Sequence, residues 1–135
     1  MHLRGRFAVV IPVYNHAFNI ERVARQALKL GFPVVVVDDG STDQTVDILR
    51  QIPGLHRLRH AVNAGKGAAL RTGFEAAAAF ADWAITIDAD GQHRPEEAER
   101  LVAAALEGPR AIVAVSYTHL RAHETRYTIS YDVLG

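Results

Sequence analysis

Residues 34–45 read VVVVDDGSTDQT: four valines, two adjacent aspartates, a glycine turn and a polar cluster with a third aspartate, Asp43. A β-branched run entered through Pro33, with no polar alternation, is the pattern of a strand covered on both faces, as in a parallel sheet. The strand is expected over 33–38. Upstream, Phe7–Pro12 (FAVVIP) has the same continuous apolar character. Between the two, Ile20, Val23, Ala24, Ala27 and Leu28 recur at helical spacing, with Asn19 expected as the N-cap and Gly31 and Pro33 as the stop. Downstream, Val46, Ile48, Leu49 and Ile52 mark a short helix closed by Pro53-Gly54. Leu55–Val62 is a weaker strand carrying basic residues, expected near a sheet edge. The glycine loop Asn63–Gly67 opens a helix that turns Leu70, Gly73, Phe74 and Ala77 inward. Trp83–Ile87 is a fourth strand. A helix entered at Pro95 follows, with Ala98, Leu101, Val102, Ala105 and Leu106 on its stripe, and then a fifth strand at Ala111–Ala114. The alternation predicts an α/β fold: an open, mostly parallel sheet with right-handed crossovers and helices on both faces.

Composition narrows the function classes. The 135 residues suit about one domain, and 49% hydrophobic with 22% charged residues is ordinary globular usage. Fifteen basic residues balance fifteen acidic ones, so no electrostatic footprint for nucleic acid or an anionic membrane is present. Cysteine is absent, which excludes disulfide scaffolds, thiolate metal sites and thiol nucleophiles, and suits a reducing compartment. MHLRGRF lacks the apolar core of a signal peptide, and AAAAFADWAITI, broken by Asp82, is too short to span a bilayer.

The polar chemistry collects in four clusters, each at the carboxyl end of a strand: Tyr14-Asn15-His16, Asp38-Asp39-Gly40-Ser41, Asn63 to Gly67 and Asp88 to His93. In an open parallel sheet those ends share one edge, and ligands bind there where the strand order reverses. Asp88 and Asp90, at i and i+2 with Gln92 beyond, have the oxygen donors that a hard divalent cation takes. The same acids also suit capping of the helix at Pro95. Asp38 and Asp39 suit hydrogen bonds to a base N–H or ribose hydroxyls, or alternatively a glycine turn with a helix cap behind it. Asn63–Gly67 offers backbone N–H groups and Lys66 to an anion, although it is not a P-loop, because Gly67 follows the lysine; a plain glycine turn with a solvated lysine is the other reading. Tyr14 suits stacking on a base or simple packing. His2, His56 and His60 read as surface histidines.

Together VVIPVYN (9–15), VVVVDDGSTDQT (34–45), NAGKGAAL (63–70) and IDADGQHRPEE (87–97) resemble glycosyltransferase family 2, with its Rossmann-like GT-A fold, a group that includes dolichyl- and polyprenyl-phosphate sugar synthases. The resemblance implies a UDP- or GDP-sugar donor and an inverting, metal-dependent transfer. It implies that Pro12, Tyr14, Asn15, Val37, Asp38, Asp39, Lys66 and Ala89 bind substrate. Asp88 and Asp90, helped by Gln92, would hold Mg²⁺ or Mn²⁺ and serve as the catalytic carboxylates. The acceptor stays open between a polyprenyl phosphate and a glycan. A cytoplasmic location is implied, at the cytoplasmic face of a membrane where further sequence anchors the protein. His16, where the lipid-phosphate sugar synthases commonly carry an acid, and Gly91 leave the subgroup open. Two other readings compete: a haloacid dehalogenase-type phosphatase with Asp88 as nucleophile and Asp90 as acid/base, and a non-catalytic nucleotide-binding domain.

The match is expected to end near Ala114, so residues 1–114 read as the nucleotide-sugar-binding half of a truncated GT-A domain without its acceptor half, inactive alone. Three of the four tyrosines fall in residues 115–135. Val115–Thr125 (VSYTHLRAHET) resembles one reading frame of a transposase-type sequencing adapter, and residues 115–135 are expected to be an artefactual, disordered tail.

Overall fold

The computed structural model describes residues 7–90, 112–115 and 127–130. Four strands, β1 (Phe7–Val13), β2 (Val34–Asp38), β3 (Leu55–Arg59) and β4 (Trp83–Thr86), form one sheet in the order β3-β2-β1-β4, every pair parallel. β1 and β2 are buried along their whole length, as their unbroken apolar runs require. β3 lies at the edge, with His56, Arg57 and Arg59 exposed.

The order 3-2-1-4 follows from the crossovers. Helices α1 (Ala17–Leu28) and α2 (Thr45–Arg50) carry the chain outward from β1 through β2 to β3, and α3 (Lys66–Ala77) brings it back across to β4. Right-handed connections running in opposite directions place their helices on opposite faces. Ile20, Val23 and Ala27 of α1 and Leu49 of α2 accordingly pack with Val9, Ile11, Val34 and Val36, whereas Ala69 and Ala77 of α3 pack with Ala8, Val10, Val35 and Val37. The direction reverses between β1 and β4, which opens a crevice at their carboxyl ends. Ile87 extends that pairing, its N–H donating to the Val10 carbonyl at 3.1 Å, so that Asp88 follows at the sheet edge.

Two local expectations shift. α1 begins at Ala17 rather than after Asn19, because its first N–H is met by a remote carboxylate: Ala17 N donates to Asp43 Oδ2 at 3.2 Å. On α3 the deepest residues are Ala69, Gly73 and Ala77, with Leu70 and Phe74 packed at the margin. The helix starting at Pro95 lies outside the described residues. β5 (Ile112–Val115) pairs antiparallel with β6 (Tyr127–Ser130), so part of the stretch from residue 115 expected to be disordered is strand. Among the described residues no helix is long and apolar enough to cross a membrane.

Gly73 is where α3 comes down onto the sheet. A Cβ there would run into the Val10 side chain and stand 3.2 Å from Val37 Cγ2. Both neighbours are stiff β-branched residues on buried strands. Gly73→Val is expected to lower stability by about 1–3 kcal/mol through overpacking. An unchanged urea midpoint would contradict this seating of α3.

Candidate functional site

The site begins with a parity effect. Successive side chains on a strand face opposite sides, so the adjacent Asp38 and Asp39 part company as β2 ends. Asp38 continues the row of Val34 and Val36 toward α1 and α2, and Asp39 continues that of Val35 and Val37 toward α3. The sequence reading treated the two acids as one cluster, and the structure separates them.

Asp38 builds the turn. Its Oδ1 accepts from Ser41 N at 3.0 Å, and Arg59 Nε stands 3.3 Å from Oδ2, near enough for an ion pair though not aligned as a hydrogen bond. Asn15 then ties this turn to the loop after β1. Its N–H donates to Ser41 Oγ at 2.8 Å, and its Oδ1 accepts from Thr42 N at 2.8 Å and Asp43 N at 3.3 Å. Asn15 adopts φ 54°, a left-handed conformation that asparagine tolerates better than most residues. Asp43 closes the loop onto α1. Burial opposes its ionisation, but hydrogen bonds from Thr45 and Ala17 outweigh that and hold its carboxyl below the ordinary range.

Asp39 organises the other side. Its Oδ1 accepts from His60 Nδ1 at 2.7 Å and Ala64 N at 2.9 Å, and its Oδ2 from Gly65 N at 2.8 Å and Asn63 Nδ2 at 3.1 Å. These four bonds fill about the four lone-pair positions that a carboxylate offers. Burial opposes the charge on Asp39, yet the bonds from Ala64, His60 and Gly65 outweigh it and lower the pKa. Gly40 lets the loop come this close. It sits at φ 80°, and a Cβ there would meet Asn63 N at 2.5 Å.

These contacts frame a cavity of about 440 Å³ at the crevice between β1, β4 and the start of α3. Pro12, Tyr14, Asp39, Lys66, Asp88 and Asp90 line it, as does Ala89. Seven of the expected site residues therefore meet in one place. Val37 lies beneath it in the core, Asn15 staples the loops, and Asp38 faces a second cavity, of about 300 Å³, with Arg57 and Arg59. Gln92 lies outside the described residues. His16 and Asn63 join the lining. His60 was missed: expected at the surface, it is the partner of Asp39, and no local pattern announces a contact 21 residues away.

The cavity is electrostatically mixed. Lys66 Nζ stands 2.6 Å from Asp88 Oδ1, a carboxylate whose side chain is only 8% exposed. Lys66 is also the first residue of α3, where the helix dipole adds positive potential, so the same corner attracts anions. Tyr14, 44% exposed, offers a ring face at the opening.

Comparisons with known proteins place the chain among relatives. The profile of "Glycosyl transferase family 2" matches residues 8–133. An uncharacterised protein of Methanocaldococcus jannaschii is 41% identical over 96 residues, covering 70% of this chain and 39% of that protein. The undecaprenyl-phosphate 4-deoxy-4-formamido-L-arabinose transferase of Aeromonas hydrophila is 36% identical over 112 residues, covering 75% of this chain and 34% of its own. The chain thus spans little more than a third of the length of these relatives. A crystal structure of a mycobacterial protein superposes with a TM-score of 0.64 at 27% identity, over 78% of this chain and 38% of that one.

The lowered pKa of Asp39 sets an acid limb of stability. A depressed folded-state value stabilises above the unfolded one, and that contribution is lost as pH falls from about 3.8 through the folded value. Asp39→Asn is expected to be less stable at neutral pH and to lose less on acidification, read as urea midpoints against pH. Parallel curves for the two proteins would show that Asp39 contributes nothing to the limb.

Proposed function

The chain belongs to glycosyl transferase family 2, and we propose that its cavity holds a nucleoside-diphosphate sugar, UDP- or GDP-linked, for inverting transfer to an acceptor. The observation that carries this reading is the convergence of Tyr14, Asp39, Lys66, Asp88 and Asp90 on one cavity of about 440 Å³, within the usual range for small-molecule sites.

Each residue has a physical task. The half-exposed Tyr14 ring stacks on the base. Asp39, through the loop it holds, sets the position of Lys66 and the N–H groups at the start of α3 toward the diphosphate. Asp88 and Asp90 line the same wall, and two carboxylates completed by substrate phosphates are a donor set that suits Mg²⁺ or Mn²⁺. When bound, the cation supplies neutralisation of the charge that grows on the departing diphosphate. Lys66, now on Asp88, is positioned to pass to the phosphates.

The family profile runs to residue 133, past the end near Ala114 expected from the sequence; residues 1–114 are read as the donor-binding half, with the acceptor pocket and general base lying beyond them. The names of the transferase relatives favour a polyprenyl phosphate as acceptor over a glycan, and a membrane-facing setting follows from that acceptor. Sequencing the gene downstream of codon 114 tests this boundary and the adapter origin of residues 115–125.

Calorimetry with UDP- and GDP-sugars, with and without Mn²⁺, tests the site. Binding of one donor is expected to strengthen at least ten-fold with metal, and Asp90→Ala is expected to abolish that gain. Equal affinities with and without metal would remove Asp88 and Asp90 from a metal role. A phosphoenzyme on Asp88 would overturn the transferase reading in favour of a phosphatase.

A further inference from the structure

His60 follows β3 and engages both ring nitrogens. Nδ1 lies 2.7 Å from Asp39 Oδ1, and Nε2 lies 2.8 Å from Thr72 Oγ1 on α3. The side chain is 20% exposed, and the backbone is pinned as well, its N–H donating to the Asp38 carbonyl at 2.9 Å. The carboxylate of Asp39 only accepts, so Nδ1 must carry the hydrogen. On a neutral ring Nε2 then accepts the Thr72 hydroxyl hydrogen, and on a protonated ring it donates to the same hydroxyl oxygen. Thr72 serves both states, so His60 keeps its two partners whichever charge it bears.

The order Asp–His–Thr is also that of an orienting carboxylate, a base and a hydroxyl nucleophile. The surroundings argue against that use. Neither His60 nor Thr72 lines either cavity, and only Asp39 reaches the one with Lys66 and Asp88. Support therefore runs inward: Thr72 backs His60, and His60 backs Asp39. Without the imidazole, Asp39 keeps the Ala64, Gly65 and Asn63 bonds to the loop but loses the one partner that holds Oδ1 from the β3 side.

We propose that His60 is a positioning residue of the donor cavity: braced by Thr72, it holds Asp39 in the one orientation that sets the Asn63–Gly65 loop and the Lys66 end of α3. The proposal deepens the donor reading above and rests on it for its ligand. A hydrogen bond to a charged group is commonly worth a factor of about ten or more in an equilibrium, so the effect is measurable.

The test uses the full 135-residue chain and calorimetry with UDP and GDP, each with MnCl₂. His60→Phe is expected to weaken binding about ten-fold. His60→Asn, whose amide N–H reaches toward Asp39 Oδ1, is expected to recover most of it. Thr72→Val, nearly isosteric, is expected to cost a few-fold. Nitrogen NMR of the wild type is expected to show the Nδ1–H form of His60. Wild-type affinity in His60→Phe, equal losses in the Phe and Asn variants, or a ring with its only hydrogen on Nε2 would each overturn the proposal. If His60→Phe does not fold, Thr72→Val and the NMR signature decide. If the wild type binds neither nucleotide, the donor reading fails by itself. Amide exchange at Ala64 and Gly65 then judges the clamp: faster exchange in Thr72→Val sustains it, and unchanged exchange overturns it.

Discussion

The Asp39 carboxylate, half of whose bonds come from the backbone amides of Ala64 and Gly65, is the joint on which the site depends. Its own N–H donates to the Val13 carbonyl at 2.8 Å, so the residue that gathers the third loop is also fastened to the end of β1. Three chain segments distant in sequence thus meet at one residue that is only 3% exposed. A buried carboxylate is tolerated only when hydrogen-bonded, and the same bonds that satisfy Asp39 give the loop its shape. Site geometry and local stability therefore rise and fall together here.

Asp38 does the complementary work on the opposite face. It shapes the turn whose Ser41 and Thr42 receive Asn15, and Asp43 beyond that turn receives the start of α1. The β1–α1 loop is consequently held from the α1 side by the Asn15 staple and from the α3 side by Asp39. Tyr14, between those two attachments, is presented at the cavity opening by a loop with little freedom. Lys66 and Asp88 complete the arrangement across the crevice, where each neutralises the other.

Much of this was legible because it is governed by burial. FAVVIP and the four valines of PVVVVD are short, unbroken apolar runs rich in β-branched residues, the pattern of strands covered on both faces, so the parallel sheet and its polar edge could be read directly. Convergence of Tyr14, Asp39, Lys66, Asp88 and Asp90 followed from strand direction alone. Features set by contacts remote in sequence were not legible. The start of α1 is met by Asp43, 26 residues away, so a local search for a cap stopped at Asn19 instead. His60 looked like a surface residue on an edge strand because its partners lie 21 and 12 residues off. The division between Asp38 and Asp39 was available from strand parity, but adjacency in the sequence concealed it.

We propose that the loops after β1, β2, β3 and β4 form one donor site on the α3 side of the sheet. Nitrogen-edited NMR of the labelled chain, titrated with UDP- and GDP-sugars and Mg²⁺, tests it most directly. Shifts are expected to cluster at Tyr14, Asp39, Asn63 to Lys66 and Asp88 to Asp90. Shifts centred instead on Asp38, Arg57 and Arg59 around the second cavity would contradict it.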